Sequence, residues 1–500
     1  MLQQQVFEKT DTDADIYLMN MPTGSGKTLC SVKFALERAI RGNKKRIIYV
    51  IPYNSIIDQT AGEFEKIFGE DADILRHQSS FSYEDREDID ENYKKVIKNA
   101  AENWDAPFII TTAVQFFESI HSNKRGKLRK MHNIADSVLI FDEAHLMPQD
   151  YLQPCLQSIA FTSRYLGSEA VFLTATMPDF KKLLEKYALS GSSILDLVQD
   201  TKCFSSFEKC RYEFIGDISD EELLLKASES PTSLIIVNSK KKARELYRKY
   251  HLSTYVTSRD RKQLIDKIKG ELRTIEEEFP SMEGVPGEKR ITVISTSLIE
   301  AGVDLDVCTV FRELTGLDSI LQSGGRCNRE GKRQGACTYK SEDETRTISK
   351  DEKFNLTKGI IEKYDNINSG QCIREYYDRL FFMKEYDITK NAMSSRCTGI
   401  HNIPFKQYAE EFKLIDDYTE SIVVLQDVKS RKLAEELKYK GGINARKLQQ
   451  YVCTVSRKEF EELFRQHAVE DYGSGIWCLT NLDYYDENEG IHFEPKDYYL

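Results

Sequence analysis

The feature that most narrows the choice of fold is a repeated alternation of short, nearly continuous apolar blocks with amphipathic stretches. DIYLMN, RIIYVIP (Arg46 to Pro52), PFIITT (Pro107 to Thr112), SVLIFDEAH (Ser137 to His145) and EAVFLTAT (Glu169 to Thr176) read as five buried strands. Between them, KTLCSVKFALERAI and SIIDQTAGEFEKIF repeat apolar residues every three or four positions, the period of a helix. Strands apolar on both faces, separated by such helices, predict a parallel sheet covered on both sides. The pattern returns in SLIIVNS (Ser233 to Ser239), STYVTS (Ser253 to Ser258), RITVIST (Arg290 to Thr296) and CTVFREL (Cys308 to Leu314). Two tandem α/β domains are therefore expected, over residues 1–204 and 205–345. Beyond them the alternation fades into the charged SEDETRTISKDEK, then the helix-like EKYDNINSGQCIREYYDRLFFMKEY. Residues 346–500 are expected to supply this linker helix and a mixed α/β accessory domain.

Size agrees with this division, because 500 residues exceed what a single core organises. No apolar run approaches the roughly 20 residues of a membrane span, and the start, MLQQQVFEKTDTDADIY, lacks the pattern of a secretory signal. A cytoplasmic location is expected. The 11 cysteines include no CxxC pair, so neither disulfides nor a zinc site is expected. A net charge of −11 argues against a general coating of polyanions and leaves room for nucleic acid in a locally basic groove. The basic runs KRGKLRK (Lys124 to Lys130), KKKAR (Lys240 to Arg244) and SRK (Ser430 to Lys432) read as solvated faces.

Within MPTGSGKT, the segment Thr23, Gly24, Ser25, Gly26, Lys27 and Thr28 has the make-up of a phosphate-binding loop. Small residues let backbone N–H groups wrap a phosphate, the lysine reaches the β and γ phosphates, and the hydroxyl serves Mg²⁺. The helix that follows adds its dipole. The general pattern GxxxxGK[ST] asks for glycine where this chain has Met21. A carboxylate at the end of another buried strand should complete the site, and VLIFDEAH supplies two. Asp142 would hold Mg²⁺ together with Thr28, and Glu143 would act as general base on water. The other reading of DEAH is an acidic cap on a loop or helix. In QSGGRCNREG, Arg326 and Arg329 lie three apart, which on a helix places both guanidiniums on one face, as arginine fingers for the transferred phosphate.

MPTGSGKT, IPYNSIIDQT, TTAVQFFESI, FDEAH, LTATMP, SLIIVNS, STSLIEAGVDLDV and QSGGRCNREG, in that order, resemble superfamily 2 helicases across residues 19–331. The chain is more closely similar to the DNA helicase of type I CRISPR interference systems. That likeness rests on VIPYNSIIDQ, AVQFFES, and HLST (His251 to Thr254) with Arg261 nearby. The resemblance implies two RecA-like domains that bind ATP and Mg²⁺, hydrolyse ATP and move 3′ to 5′ on single-stranded DNA. It implies coupling roles for His145, Thr174 and Thr176, nucleotide sensing by Gly302 and Asp304, and closure of Gln322, Arg326 and Arg329 on the γ-phosphate. Pro52, Thr111, Thr112, Ser253 and Thr296 would lie along the nucleic-acid backbone; for each, a role as helix cap or turn former is the alternative. Implied partners are an RNA-guided surveillance complex and a separate nuclease domain or subunit. Many relatives carry a nuclease marked by adjacent His-Asp, and none of the eight histidines here precedes an aspartate, so this chain is not expected to cut DNA by itself. The adenine-reading segment before the loop is expected to be short or missing, with Gln3, Gln4 and Gln5 unassigned; the nuclease is either encoded separately or part of a longer protein. An RNA helicase of the DEAD or DEAH type is the rival enzyme, and a nucleotide-dependent scaffold without motor activity is the rival from another class.

Overall fold

In the computed structural model the five early apolar blocks pair in one parallel sheet. The strands are β1 (Ile16–Asn20), β2 (Arg46–Ile51), β3 (Ile74–His77), β4 (Phe108–Thr112), β5 (Ser137–Phe141), β6 (Glu169–Thr174) and β7 (Ile194–Asp196), in the spatial order β3-β4-β2-β5-β6-β1-β7. The structure describes all residues except 1, 70–71, 78–99, 176–177, 188–190, 209, 247–249, 253–254, 301–302, 304, 329–334, 342–351, 383–398, 400–401, 415–418, 441–444, 474 and 494–500. Every residue of β4, β5 and β6 is buried, as expected of a sheet with both faces covered. The helices Lys27–Arg41 and Asn54–Phe68 supply part of that cover, and Phe34, Phe64, Tyr17, Tyr49 and Val171 share one core with the strands. The edge strands β3 and β7 went unread in the sequence because they are three or four residues long and only half buried.

A second parallel sheet holds β8 (Cys210–Asp217), β9 (Thr232–Val237), β10 (Tyr250–Leu252), β11 (Ile291–Thr296), β12 (Thr309–Glu313) and β13 (Gly335–Ser341), in the order β10-β11-β9-β12-β13-β8. One strand expectation fails here. STYVTS is not a strand: β10 ends at Leu252, and among the described residues Tyr255–Thr257 lead directly into the helix Ser258–Glu278, whose N-terminus the Thr257 hydroxyl caps. A third sheet, β15-β14-β17-β16, contains β14 (Thr419–Val424), β15 (Val452–Ser456), β16 (Val469–Asp471) and β17 (Trp477–Leu479); β14 and β17 run parallel and the other pairs antiparallel. Short strands β18 (Tyr485–Asp486) and β19 (Gly490–Ile491) follow.

The chain forms two compact units, and their boundaries correct the expected tail. One unit joins Met1–Glu208 to Asn355–Ile415; the other joins Lys209–Phe354 to Asp416–Leu500. Residues 346–500 therefore do not fold as one appendage. The physical cause is where their apolar side chains find partners. In the helix Gly370–Phe382, Tyr377 packs on His145, while farther on Phe412 stacks on His121 at 4.0 Å and meets Tyr151 edge-on at 4.9 Å. The β14–β17 sheet is instead seated on the segment that was expected to be a strand. Tyr485 donates to the buried Asp260 carboxylate at 2.5 Å and accepts from the Thr257 N–H, and Gln426 donates to Asp260 from the other side. The run KKKAR is not a solvated face either: Lys240 and Arg244 lie over the Tyr255 ring, 4.5 and 5.1 Å from its centre.

Candidate active site

Parallel sheets collect their loops at the carboxyl ends of the strands, which is where α/β proteins bind ligands. In the first unit those ends bring the candidate residues together. Of three adjacent strands, β5 is followed directly by Asp142, β6 ends at Thr174, and β1 leads into the glycine loop. Met21, the departure from the general pattern, is fully buried in the core and donates its N–H to the Thr174 carbonyl at 3.1 Å. Its side chain is taken up by the core of the first unit. Gly24 and Gly26 have φ of 81° and 79°, a left-handed backbone that other residues rarely adopt. This is the conformation that turns successive N–H groups toward one point. Thr23 and Gly24 are exposed at its tip, Ser25 bonds back to the Pro22 carbonyl at 2.6 Å, and Thr28 lies half buried in the first helical turn.

Lys27 reaches across to both acids, with its Nζ 3.1 Å from Asp142 Oδ1 and 2.6 Å from Glu143 Oε1. Burial alone would push the ammonium pKa down; the two carboxylates overcome this and raise it above its ordinary value. Asp142 also accepts from the Tyr49 hydroxyl at 3.0 Å and from the Glu143 N–H at 3.0 Å. Glu143 is itself left-handed, with φ 48° and ψ 48°, which costs a non-glycine residue about 1 kcal/mol or more. That turn brings its carboxylate back over the strand end, against Lys27. DEAH is thus neither strand nor long helix: β5 ends at Phe141, and Ala144–Leu146 form one tight turn. His145 is 5 % exposed; its Nδ1 lies 2.7 Å from Thr174 Oγ1 and 3.5 Å from Glu143 Oε2, linking the acid to the end of β6.

On the same edge, beyond β5, Pro52 follows β2 half buried, and Thr111 and Thr112 end β4. The Thr111 side chain is wholly buried and its hydroxyl donates to the His77 carbonyl; Thr112 accepts from the Gln115 N–H as the cap of the helix Ala113–Ile120. Both hydroxyls serve the fold. In the second unit, Thr296 ends β11 at 7 % exposure. The helix reading of the arginine motif is corrected: the helix Leu317–Gly324 carries Gln322 but ends before Arg326. Tyr212 packs so closely on Gly324 that a Cβ there would collide with its ring, and the chain turns away at Gly325. Arg326 donates from Nε to the Ile299 carbonyl and from Nη2 to that of Glu300. Arg329, Thr176, Gly302, Asp304 and Ser253 lie outside the described residues.

Three residues beside the first site escaped the sequence reading. Gln3 donates its side-chain amide to the Ser25 carbonyl at 3.2 Å, so the short leading helix Leu2–Phe7 touches the phosphate loop. Nothing local in QQQ marks which glutamine does this. Tyr49 was visible as a lone hydroxyl within RIIYVIP, and Tyr377 as part of an apolar stripe whose target no local pattern gives.

A glycine loop at the end of β1, a paired Asp-Glu at the end of an inner strand and a second parallel α/β unit are the features that the motifs predict for a helicase motor core. Family models agree in both halves: residues 1–183 match the DEAD/DEAH box helicase family, and residues 229–332 match the C-terminal part of the CRISPR-associated nuclease/helicase Cas3. The chain is thus similar to DEAD/DEAH box helicases in its first part and to the C-terminal part of Cas3 in its second. It is 26 % identical over 424 residues to the CRISPR-associated nuclease/helicase Cas3 of Haloferax volcanii, a match covering 63 % of this chain and 44 % of that one. The Cas3 of Methanothermobacter thermautotrophicus is 25 % identical over 373 residues, covering 69 % and 43 %. The chain thus spans less than half the length of these relatives. Among solved structures, T. fusca Cas3-AMPPNP superimposes with a TM-score of 0.65 at 13 % identity, over 95 % of this chain and 67 % of the other, a likeness of fold. Among the described residues no helix is long and apolar enough to cross a membrane.

Proposed function

We propose that this chain is an ATP-driven translocase and helicase on single-stranded DNA, acting in the cytoplasm in CRISPR antiviral interference. The observation that carries the reading is the contact of one buried ammonium, Lys27, with both Asp142 and Glu143 beneath a left-handed glycine loop. In this arrangement the loop amides and Lys27 take the phosphates, while Glu143 orients water and accepts its proton. His145 and Thr174 pass a change at Glu143 to the end of β6. Thr28 and Asp142 would hold Mg²⁺, and their all-oxygen donor set suits that hard cation, which supplies charge neutralisation on the phosphates when bound. Gln322, Arg326 and Arg329, with Gly302 and Asp304, are proposed to act on the same nucleotide from the second unit. Pro52, Ser253 and Thr296, with backbone groups at Thr111 and Thr112, are proposed to follow the strand. The domain scheme proposed is a first motor domain up to about residue 204 and a second up to about residue 345.

The similar fold of a chain in a solved CRISPR RNA-guided surveillance complex supports such a complex as partner, and the relatives' name, nuclease/helicase, supports cleavage by a nuclease domain or subunit distinct from these residues. The test is ATP turnover with single-stranded DNA, with single-stranded RNA and with neither, each with and without Mg²⁺. Stimulation by DNA that requires Mg²⁺ is expected. Preference for RNA would turn the assignment to an RNA helicase, and nucleotide binding without strand-stimulated turnover would turn it to a scaffold.

A further inference from the structure

The helix Gly370–Phe382 belongs to none of the helicase motifs, yet it lies against the coupling residues of the first unit. Its buried face is Cys372, Ile373, Tyr376, Tyr377, Leu380 and Phe381, each at most 7 % exposed and spaced as one helical stripe. Tyr377 meets the His145 ring edge-to-face, with centroids 5.9 Å apart and planes at 66°. Tyr377 is itself held on both sides, stacked on Phe381 at 5.6 Å and edge-on to Tyr376 at 5.2 Å. One residue on, Asp378 lies 4.0 Å from Lys182, in the helix Phe180–Tyr187 that follows the Thr174–Pro178 segment. The helix therefore engages both flanks of the link between DEAH and the end of β6.

An imidazole that bonds Thr174 through Nδ1 while facing Glu143 works only in one ring orientation, because a flip puts a C–H where the nitrogen was. Thr174 and Glu143 both meet the ring at Nδ1. We propose that Tyr377 is a positioning residue that fixes the His145 ring, so that the returning segment 355–415 sets how tightly hydrolysis is coupled to the strand. The coupling part of this inference rests on the proposed function; the ring-positioning part does not.

Two substitutions test it, Tyr377→Phe, which keeps the aromatic edge, and Tyr377→Leu, which keeps apolar bulk and loses it. Side-chain ¹⁵N shifts of ¹⁵N-histidine protein, with His145 assigned through His145→Gln, report ring state without any turnover. Wild type and Tyr377→Phe should show a single fixed His145 tautomer, and Tyr377→Leu averaged shifts. In the turnover assay, Tyr377→Leu should lower kcat with single-stranded DNA by about tenfold with KM for ATP within about twofold, and Tyr377→Phe should restore it. A fixed tautomer in Tyr377→Leu, or a loss that Tyr377→Phe does not rescue, overturns the proposal. If wild type shows no stimulation by DNA, the functional reading fails while the ¹⁵N shifts still decide the role of Tyr377.

Discussion

Each unit places an ion cluster near the carboxyl ends of its parallel strands, and the two clusters are built for opposite purposes. In the first, Lys27, Asp142 and Glu143 keep 11, 17 and 31 % of their side chains exposed, and Glu143 is held in a left-handed turn. In the second, Arg312 and Glu300 meet at 2.8 Å with 2 and 8 % exposed. Glu300 further accepts from Ser319 and Ser323, and Arg312 donates to Asn238 Oδ1 at 2.7 Å. Burial pushes the Glu300 carboxyl up and Arg312 opposes it. The same residue types thus make a cluster where water and ligand can exchange with the partners, and a scaffold where a buried carboxylate is held by one guanidinium and two hydroxyls. The scaffold also fixes the Ile299 and Glu300 carbonyls on which Arg326 rests.

If this contrast is right, breaking the two clusters should damage different properties. Arg312→Ala leaves Glu300 buried without its cation, and about 3–5 kcal/mol of stability should be lost, read as a fall in Tm or in the denaturant midpoint. A variant as stable as wild type would mean the second cluster is not a scaffold. Lys27→Ala should instead keep the Tm nearly unchanged and lower kcat for ATP by about 10²–10³. Unchanged hydrolysis would remove the first cluster from the chemistry. Smaller still, Gly324→Ala presses a methyl group into Tyr212 at the turn that delivers Arg326; overpacking of this kind costs about 1–3 kcal/mol. Because Tyr212 also donates to the Leu321 carbonyl, this variant sharpens the comparison by disturbing arginine placement while leaving the Arg312 pair intact.

The asymmetry also governs what could be read in advance. The glycine loop, Asp142 and Glu143 were legible because phosphate chemistry needs fixed residue types at fixed spacing after a buried strand, a local signature. β8 was harder: its alternating half-buried pattern is that of a sheet edge. STYVTS has the β-branched and aromatic make-up of a strand, but Tyr255 is taken up by the C-terminal sheet, where it bonds Glu459 and receives Arg244 on its ring. QSGGRCNREG reads as helical by arginine spacing alone, but the helix stops at Gly324, where the close approach of Tyr212, over a hundred residues away in sequence, leaves room for glycine only. The return of residues 355–415 to the first unit was illegible for the same reason. A stripe of tyrosines announces a buried face and is silent about what buries it.

The weakest expected effect concerns that return and separates the two units by acid sensitivity. His121 sits at the end of the helix Ala113–Ile120, bonded through Nε2 to Ser158 at 2.7 Å and through Nδ1 to Tyr408 at 3.0 Å, beneath the Phe412 ring. Burial pushes its pKa down to about 4 from an ordinary 6.5. A native pKa below the unfolded one means that the unfolded chain binds the extra proton. The stabilisation is therefore complete above pH 6.5 and is lost as pH falls toward 4. His251, fully buried on β10 in the second unit, is also lowered to about 4, by burial and by Arg244, so wild type should lose stability in this window from both units. His121→Gln keeps polar contacts without the titration. Thermal unfolding at pH 7, 6 and 5 should show a pH loss smaller by about 1–2 kcal/mol at pH 5 than in wild type, and His251→Gln a separate reduction. Hydrogen exchange should then place the first unit's share of the acid-induced opening at residues 405–412, because Tyr408 and Phe412 hold the neutral ring. Acid opening confined to the second unit, with the His121→Gln profile unchanged, would show that the seat of the returning segment is not the titrating element.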